Sequence, residues 1–565
     1  MKKILFLLPV IILWTSCSEE FLDRKNLYQR TDESYFQTPE DVQEMLAGAY
    51  SALTFDVGQC HMMLLSDVLS DDCFGGGDNG GDIDGYQRTD NFTVNDPNYY
   101  AELFDGGWEG ILRTNLIIKR FDQVEYEDQE EQNRDLGEAH FLRAYFYFRL
   151  SQNFGPVPLR LLPDADDLER ATPEVMYGQI GSDLKKAIEL LPSTPYQNIP
   201  AVAARLGHAT KWAAEAMMAR VFLFYTGYYQ QTELPLAEGG SVTKAQVIDW
   251  LEDCINNSGH DLLPDFRNNW PYSSVPGYAM VANYDLEWAG EEGGNYETIW
   301  AFKYSPYAGY TTPDQQLRYA NLHNLYVGLR DQSYLPFGRG WGLATVNPQL
   351  WESFEEGDVR REGSIINMWD TESPDDGEIA ANYNWGGSTA TFVQHQETGY
   401  FQKKYNPIYD WNADSSQLQG IWYLKYNAPA SADFMLWSMQ DDVIIRFADV
   451  LLMSAELGSP NAAAYFNRVR ERAGLDPIGS PTLDDIKRER RHEFALEGLR
   501  YHDLLRWGLD YAETAIEAAN GVPIRNNGVE LEYTVDFRPE TGGFLPIPET
   551  QILLSQGKLK QTPGW

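Results

Sequence analysis

Amphipathic helical patterns in both halves of the chain constrain its fold more than any other feature of the sequence. Apolar residues after Thr38 and Pro39 recur at three- and four-residue spacing up to Leu53, which places them on one face of a helix. Thr38 is suited to cap this helix and Pro39 to occupy its first turn. Similar patterns predict helices over 38–54, 130–153, 172–191, 211–226, 443–457 and 482–506. We therefore expect a mainly α-helical fold without a large sheet.

The chain between residues 262 and 440 has a different pattern. Glycine, proline, asparagine and aromatic residues interrupt its short apolar runs, and ten of the 16 tryptophans lie here. Neither the helical period nor the alternation of a strand persists for long in this region. We expect irregular loops with short strands and a few short helices.

The N-terminus is typical of a targeting segment. Lys2 and Lys3 precede an apolar run over 4–14, which is too short for the ~20 residues that span a bilayer. Cys17 follows at once, and this order resembles a bacterial lipoprotein signal, so we predict that Cys17 is acylated. An ordinary secretory signal is the alternative. The Ser-Glu-Glu sequence at 18–20 resembles the surface-export signal of Bacteroidetes lipoproteins.

Charge and motif content argue against several functional classes. Acidic residues outnumber basic ones 84 to 44, which disfavours nucleic acid as a partner because phosphates are also negative. The sequence has no H-E-x-x-H, G-x-S-x-G or Walker A motif, and its eight histidines show no metal-ligand spacing. We therefore expect neither an enzyme nor a cofactor. Cys60 and Cys73 could form a disulfide or remain buried thiols.

A glycine- and aspartate-rich loop follows the first helices. Residues 75–80 match G-x-G-x-x-G, but no predicted strand precedes them, so we interpret them as a loop and not as a nucleotide site. Calcium, which binds several oxygen ligands, is an alternative occupant of this loop. Its available carboxylates are those of Asp71, Asp72, Asp78, Asp82 and Asp84.

Seven arginines lie among glutamates between residues 468 and 500. Such a cluster could bind phosphate, or it could form a network of ion pairs that joins adjacent helices. We favour the network.

Several long motifs resemble the SusD/RagB family of Bacteroidetes. They are "GEAHFLRAYFYFRLSQNFGPVPL" in the first half and "IIRFADVLLMSAE", "NAAAYFNRVRERAGL" and "KRERRHEFALEGLRYHDLLRWG" near the end. The resemblance implies a tetratricopeptide-like helical scaffold with a loop-rich second part. It also implies an outer-membrane lipoprotein, facing the cell exterior, that binds a glycan and delivers it to a SusC-like TonB-dependent transporter.

The resemblance and the patterns together divide the chain into four parts. We expect a signal peptide at 1–16, a helical scaffold at 17–261 with a binding loop near 66–105, a loop-rich ligand-binding region at 262–440, and a helical part at 441–565. Two other functions stay open. One is a glycoside hydrolase with an unrecognised carboxylate pair, and the other is a non-binding structural subunit of the transporter complex.

A sugar site needs flat aromatic side chains for the C–H faces of the ring and polar side chains for its hydroxyls. The loop near 66–105 and the middle region both offer that mixture. We expect a shallow, exposed site where the loop around Tyr86 meets the middle region near Trp288 or Trp341. The predicted glycan contacts are Asp72, Asp82, Asp84, Tyr86, Arg88, Trp288 and Trp341.

Overall fold

The structure is a computed structural model. It describes residues 35–54, 61–78, 84–163, 166–198, 207–290, 294–305, 320–387, 393–426 and 433–565. Cys17, Cys60 and Asp82, which have predicted roles, lie outside the described residues. Within the described ranges no helix is both long and apolar enough to cross a membrane.

Helices that pack on their sequence neighbours form the first half of the chain. They are α1 (Pro39–Ser51), α2 (Met62–Val68), α3 (Gly85–Asp90), α4 (Ala101–Arg120), α5 (Gln129–Phe154), α6 (Pro173–Leu190), α7 (Lys211–Tyr228) and α8 (Lys244–Asn257). Helix α5 packs against α4 and α6, and α7 packs against α6 and α8. Thr38, Thr172, Thr210 and Thr243 cap four of these helices by accepting a hydrogen bond from a backbone N–H of the first turn.

The middle region has short helices and most of the strands. Its helices are α9 (Ala279–Tyr284), α10 (Leu322–Val327), α11 (Pro348–Ser353), α12 (Val359–Ser364), α13 (Gly377–Asn382) and α14 (Ile421–Tyr426). The C-terminal part returns to helices, which are α15 (Phe447–Glu456), α16 (Ala462–Arg472), α17 (Leu483–Glu493), α18 (Arg500–Trp507), α19 (Leu509–Glu517) and α20 (Glu549–Leu554).

The strands pair two by two, and the described residues form no larger sheet, as predicted. They are β1 (Cys73–Gly76), β2 (Leu234–Pro235), β3 (Ser241–Val242), β4 (Thr298–Phe302), β5 (Leu329–Arg330), β6 (Arg339–Gly340), β7 (Leu343–Val346), β8 (Ile365–Asn367), β9 (Tyr400–Gln402), β10 (Tyr409–Trp411), β11 (Leu418–Gly420), β12 (Asp442–Arg446), β13 (Pro523–Asn526) and β14 (Val529–Glu532). Two pairs join distant parts of the chain. Strand β1 pairs with β7, and β4 pairs with β12.

Four of the six predicted helices are confirmed, and two predictions need correction. Residues 442–446 form strand β12 and not the start of a helix, because they pair with β4. The predicted helix over 482–506 is two helices, α17 and α18. Leu496 and Gly498 interrupt it at φ 64° and 70°. Gly498 is required there, since a Cβ would lie 2.6 Å from the Met63 Cα.

The structure also bears on the predictions for the glycine-rich segment and for the cysteines. Gly75 and Gly76 belong to strand β1, so the glycine-rich segment is not purely a loop. Cys73 and Cys254 are buried free thiols, which answers the disulfide question for Cys73.

A buried network of ion pairs holds the middle region on the C-terminal helices. Arg446 contacts Glu297, Glu493 and Glu497, and Arg472 contacts Glu297 and Glu493. The predicted arginine–carboxylate network is therefore confirmed. The remaining arginine pairs of that segment are Arg468–Asp261, Arg470–Glu355, Arg470–Glu489, Arg488–Asp485, Arg490–Asp449, Arg490–Asp503, Arg491–Asp71, Arg491–Asp72 and Arg500–Asp71.

Candidate functional site

Strand pairing brings the glycine-rich loop against the segment that follows Trp341. In the antiparallel β1–β7 pair, Cys73 lies opposite Val346 and Gly76 opposite Leu343. The N–H of Gly77 extends this contact by donating to the Gly342 carbonyl oxygen at 2.8 Å. The predicted meeting of the loop with the Trp341 segment is therefore present in the structure.

Tyr86 packs against Tyr326, which packs against Trp341, and no face of its ring is exposed to solvent. Its side chain is fully buried, and its hydroxyl oxygen accepts the backbone N–H of His61 at 2.9 Å. Its ring centroid lies 6.2 Å from that of Tyr326, which in turn lies 5.1 Å from that of Trp341. Trp341 remains partly exposed. The prediction that Tyr86 stacks on a sugar is wrong, because the fold uses this ring as packing.

Asp72 is also a structural residue. It is fully buried, and its Oδ1 accepts from the Nε of Arg491 at 2.8 Å. The neighbouring Asp71 accepts two hydrogen bonds from Arg500, at 2.7 and 2.9 Å. The prediction that Asp72 contacts a glycan is wrong, because this side chain is fully buried and paired with Arg491 of α17. Asp71, Asp72 and Asp78 all pair with arginine, which does not favour the calcium alternative.

Asp84 and Arg88 remain accessible at the edge of the loop. The Arg88 Nε donates to Asp84 Oδ2 at 2.7 Å, and the two side chains are 42% and 31% exposed, in that order. Asp84 immediately precedes α3, and Arg88 lies four residues later within this helix. Both side chains therefore present polar atoms at the surface.

Buried polar contacts fix the backbone on either side of Trp341. The guanidinium of Arg330 pairs with Asp78 and donates to the Trp341 carbonyl oxygen at 3.4 Å. The N–H of His395 donates to the Gly77 carbonyl oxygen at 2.8 Å. Burial lowers the pKa of the His395 side chain, which favours the neutral form of this partly exposed imidazole, and that form can exchange hydrogen bonds with hydroxyls.

Two tryptophans and an arginine form an exposed platform that the sequence analysis did not single out. Trp369 is 50% exposed, and its ring centroid lies 4.4 Å from that of Trp385. The guanidinium carbon of Arg525 lies 4.8 Å from the first ring and 4.9 Å from the second. The Trp369 Nε1–H donates to the Thr398 carbonyl oxygen at 2.9 Å, which fixes the indole.

Close packing explains why glycine follows Thr398. A Cβ at Gly399 would lie 2.5 Å from Trp369 Nε1 and 2.6 Å from Trp385 Cη2. Its φ of 80° also favours glycine. The high number of tryptophans in the middle region could have pointed to an aromatic site there. No local sequence pattern could place Arg525 of strand β13 beside Trp369 and Trp385.

Gln394 connects this platform to Trp341. Its Nε2 donates to the Gly342 carbonyl oxygen at 2.8 Å, and its N–H donates to the Gly386 carbonyl oxygen at 3.0 Å. Gly342 follows Trp341 and Gly386 follows Trp385, so Gln394 joins the two segments through its side chain and its backbone N–H. We call the resulting group the aromatic surface. It consists of Trp341, Trp369, Trp385, His395 and Arg525.

Trp288 lies elsewhere. It lines a cleft together with Trp270, Trp300 and Lys303. Its ring meets Trp422 edge-on, with centroids 5.8 Å apart. None of the described residues lining this cleft belongs to the aromatic surface. The structure thus joins the Tyr86 loop to Trp341 but not to Trp288.

Comparison with known proteins identifies the fold and the family. A family model described as "Starch-binding associating with outer membrane" matches residues 20–223, and the SusD family model matches 296–565. A SusD-like protein of Bacteroides ovatus is 24% identical, covering 90% of this chain and 82% of its own.

Two solved structures share the architecture. Surface glycan-binding protein A from Bacteroides fluxus has a TM-score of 0.72 at 24% identity, covering 94% of this chain and 100% of its own. The protein of the same name from Bacteroides thetaiotaomicron, in complex with laminarihexaose, has a TM-score of 0.70 at 22% identity, covering 93% and 100%. Both of these relatives are binding proteins by name. The chain, with its tetratricopeptide-like helical scaffold, belongs to the SusD/RagB family.

Proposed function

We propose that this protein binds a glycan at the cell surface through the aromatic surface. The observation that carries the proposal is the arrangement of three partly exposed tryptophans with Arg525 on segments that buried contacts hold in place. A structural relative was solved with laminarihexaose, a glucan fragment, and this makes a β-glucan a reasonable first ligand to test.

The chemistry of the surface matches that of a sugar chain. Indole faces cover the apolar C–H faces of pyranose rings, and a hexasaccharide is long enough to use more than one such face. Arg525 offers hydrogen-bond donors, and the neutral His395 offers one donor and one acceptor. Asp84 and Arg88, which are exposed at the start of α3, supply further polar atoms. Asp82 stays a proposed contact, because it lies outside the described residues.

The remaining parts of the proposal concern location and partner. The protein is held on the outer membrane through lipid on Cys17, faces the exterior, and delivers its cargo to a SusC-like TonB-dependent transporter. A surface that must release cargo needs only weak binding, with Kd between about 1 μM and 1 mM, or about −8 to −4 kcal/mol. The shallow, exposed position of Trp369 is consistent with such affinity.

Affinity electrophoresis against a panel of polysaccharides, followed by calorimetry with oligosaccharides, tests the proposal. Trp369→Ala should weaken binding at least tenfold while leaving the circular dichroism unchanged. Trp565→Ala is a matched control, because that partly exposed indole also lies beside an arginine, Arg538 at 4.2 Å, and donates to a backbone carbonyl.

Two results would contradict the proposal. If Trp369→Ala and Trp385→Ala bind like the wild type, the glycan site lies elsewhere. If the protein shortens a labelled oligosaccharide, the hydrolase alternative gains support instead.

A further inference from the structure

Three buried side chains from distant parts of the chain meet close to Tyr326, the ring on which Trp341 packs. The Nε2 of His61 lies 3.1 Å from Oδ2 of Asp442, and the Nδ1 of His323 lies 3.3 Å from Oδ1 of the same carboxylate. One nitrogen from each imidazole and an oxygen of the carboxylate all lie within 4.8 Å of one another. The exposed fractions of these side chains are 6%, 0% and 1%.

Rigid elements hold the three side chains in place. His61 immediately precedes α2, His323 lies in α10, and Asp442 is the first residue of β12. The His323 ring stacks between two others, with centroids 4.7 Å from His61 and 4.5 Å from Tyr405. The donors are therefore oriented by packing rather than by flexible loops, as a preorganised site requires.

A second layer of hydrogen bonds supports the carboxylate. The Tyr304 hydroxyl donates to Asp442 Oδ2 at 2.6 Å, and the Asn321 Nδ2 donates to Oδ1 at 3.1 Å. These two hydrogen bonds hold the carboxylate in the orientation in which it meets both imidazoles.

We propose that His61, His323 and Asp442 bind a divalent transition metal ion, for which zinc is the natural probe. Two imidazole nitrogens and one carboxylate oxygen form a donor set that zinc accepts, whereas calcium and magnesium prefer oxygen alone. Zinc–ligand bonds of about 2.1 Å in a tetrahedron place two ligand atoms about 3.4 Å apart. The two nitrogen–oxygen distances, 3.1 Å from His61 to Oδ2 and 3.3 Å from His323 to Oδ1, are close to that separation, so each oxygen of the carboxylate lies at ligand spacing from one imidazole.

The position of the cluster gives the metal a structural role. The ion would join α2, α10 and β12, which come from the N-terminal, middle and C-terminal parts of the chain. His61 also donates its N–H to Tyr86, and its ring lies 6.5 Å from that of Tyr326, on which Trp341 packs. Metal binding would therefore stiffen the support of Trp341 without touching the glycan.

Metal content measured on the full-length chain tests the proposal. Protein stripped with a chelator, reloaded with zinc and passed through a desalting column should retain an equimolar amount by mass spectrometry of the elements. His61→Gln and His323→Gln should each retain less than about a tenth of that. His208→Gln is the matched control, because this histidine also pairs with a carboxylate, Glu138, but outside the cluster.

A spectroscopic readout keeps the test independent of folding defects. Cobalt added to stripped wild-type protein should give the visible d–d bands of a low-coordinate ion, and zinc should abolish them. Zinc should also raise the thermal midpoint of the wild type but not that of the two cluster variants. The proposal is wrong if the stripped wild type retains no zinc, or retains no more than His323→Gln, since the three side chains then form only hydrogen bonds.

Discussion

Replacing Arg446 by alanine tests how the loop-rich region is held on the helical scaffold. The Arg446 guanidinium donates to Glu297 at 2.9 Å and to Glu497 at 2.8 Å, and it also contacts Glu493. All four side chains are at most 3% exposed. Glu297 belongs to the middle region and the two other glutamates to the C-terminal part, so one guanidinium joins both.

The expected loss follows from the charges left behind. Removing one partner of a buried ion pair typically costs about 3–5 kcal/mol, because the other charge stays in a poorly solvated site. Arg472 still contacts Glu297 and Glu493 in the variant, and Lys404 still contacts Glu497 at 2.6 Å. We therefore expect a decrease of about 3 kcal/mol in the free energy of unfolding, the lower end of that range.

Urea denaturation followed by circular dichroism at neutral pH measures this loss. Arg468→Ala is the control, since its pair with Asp261 is 35% and 59% exposed and should contribute about 0–1 kcal/mol. If Arg446→Ala loses no more than Arg468→Ala, the remaining cations satisfy the glutamates and the network does not depend on its central arginine.

Three further predictions concern pH, anchoring and the site. Burial raises the pKa of Asp90 to about 7 despite hydrogen bonds from Tyr533, Gly75 and Gln396. The stability that protonated Asp90 contributes is therefore complete below its unfolded pKa near 3.8 and is lost as pH rises through 7. Asp90→Asn should gain stability relative to the wild type across that pH range in urea titrations, and parallel curves for the two proteins would contradict the pKa assignment. Cys17→Ala should release the protein from outer-membrane fractions of a strain lacking the transporter, and retention there would refute the lipid anchor. Trp288→Ala should bind the glycan as the wild type does; a tenfold loss of affinity would move the site to the Trp288 cleft.

Local periodicity predicts the helices well because their signals are local. Caps and apolar spacing that identify α1, α5, α6 and α7 lie within each segment. The two errors arise where distant partners decide the conformation. Residues 442–446 are apolar enough for either state, and only pairing with residues 298–302 makes them a strand. Gly498 lies in the break between α17 and α18 at a positive φ, and the close approach of Met63 leaves no room for a Cβ there.

For the candidate site, too, local sequence predicts some features, whereas contacts between distant residues decide others. Loop composition predicts that the loop around Tyr86 meets the middle region near Trp288 or Trp341, and only the β1–β7 pairing shows that the Trp341 segment is the one it meets. Composition does not reveal which aromatic side chains face solvent. It therefore predicts an exposed Tyr86, whereas the structure buries this side chain fully. The cluster of His61, His323 and Asp442 was equally hidden, because Asp442 is 381 residues from the first histidine and 119 from the second.

The aromatic surface depends on buried charge for its geometry, because the middle region lacks long elements of its own. Lys403 donates to Asp376 at 2.7 Å, and Lys404 donates to Glu497 at 2.6 Å, although both lysines are fully buried. These two residues directly follow strand β9, whose neighbours Gly399 and Thr398 hold the Trp369 indole. A loop-rich region can vary its exposed side chains while such pairs keep its backbone in place. Specificity for a particular glycan can then change at Trp369 or His395 without loss of the fold, whereas changes at Lys404 or Glu497 should destabilise the fold and the site together.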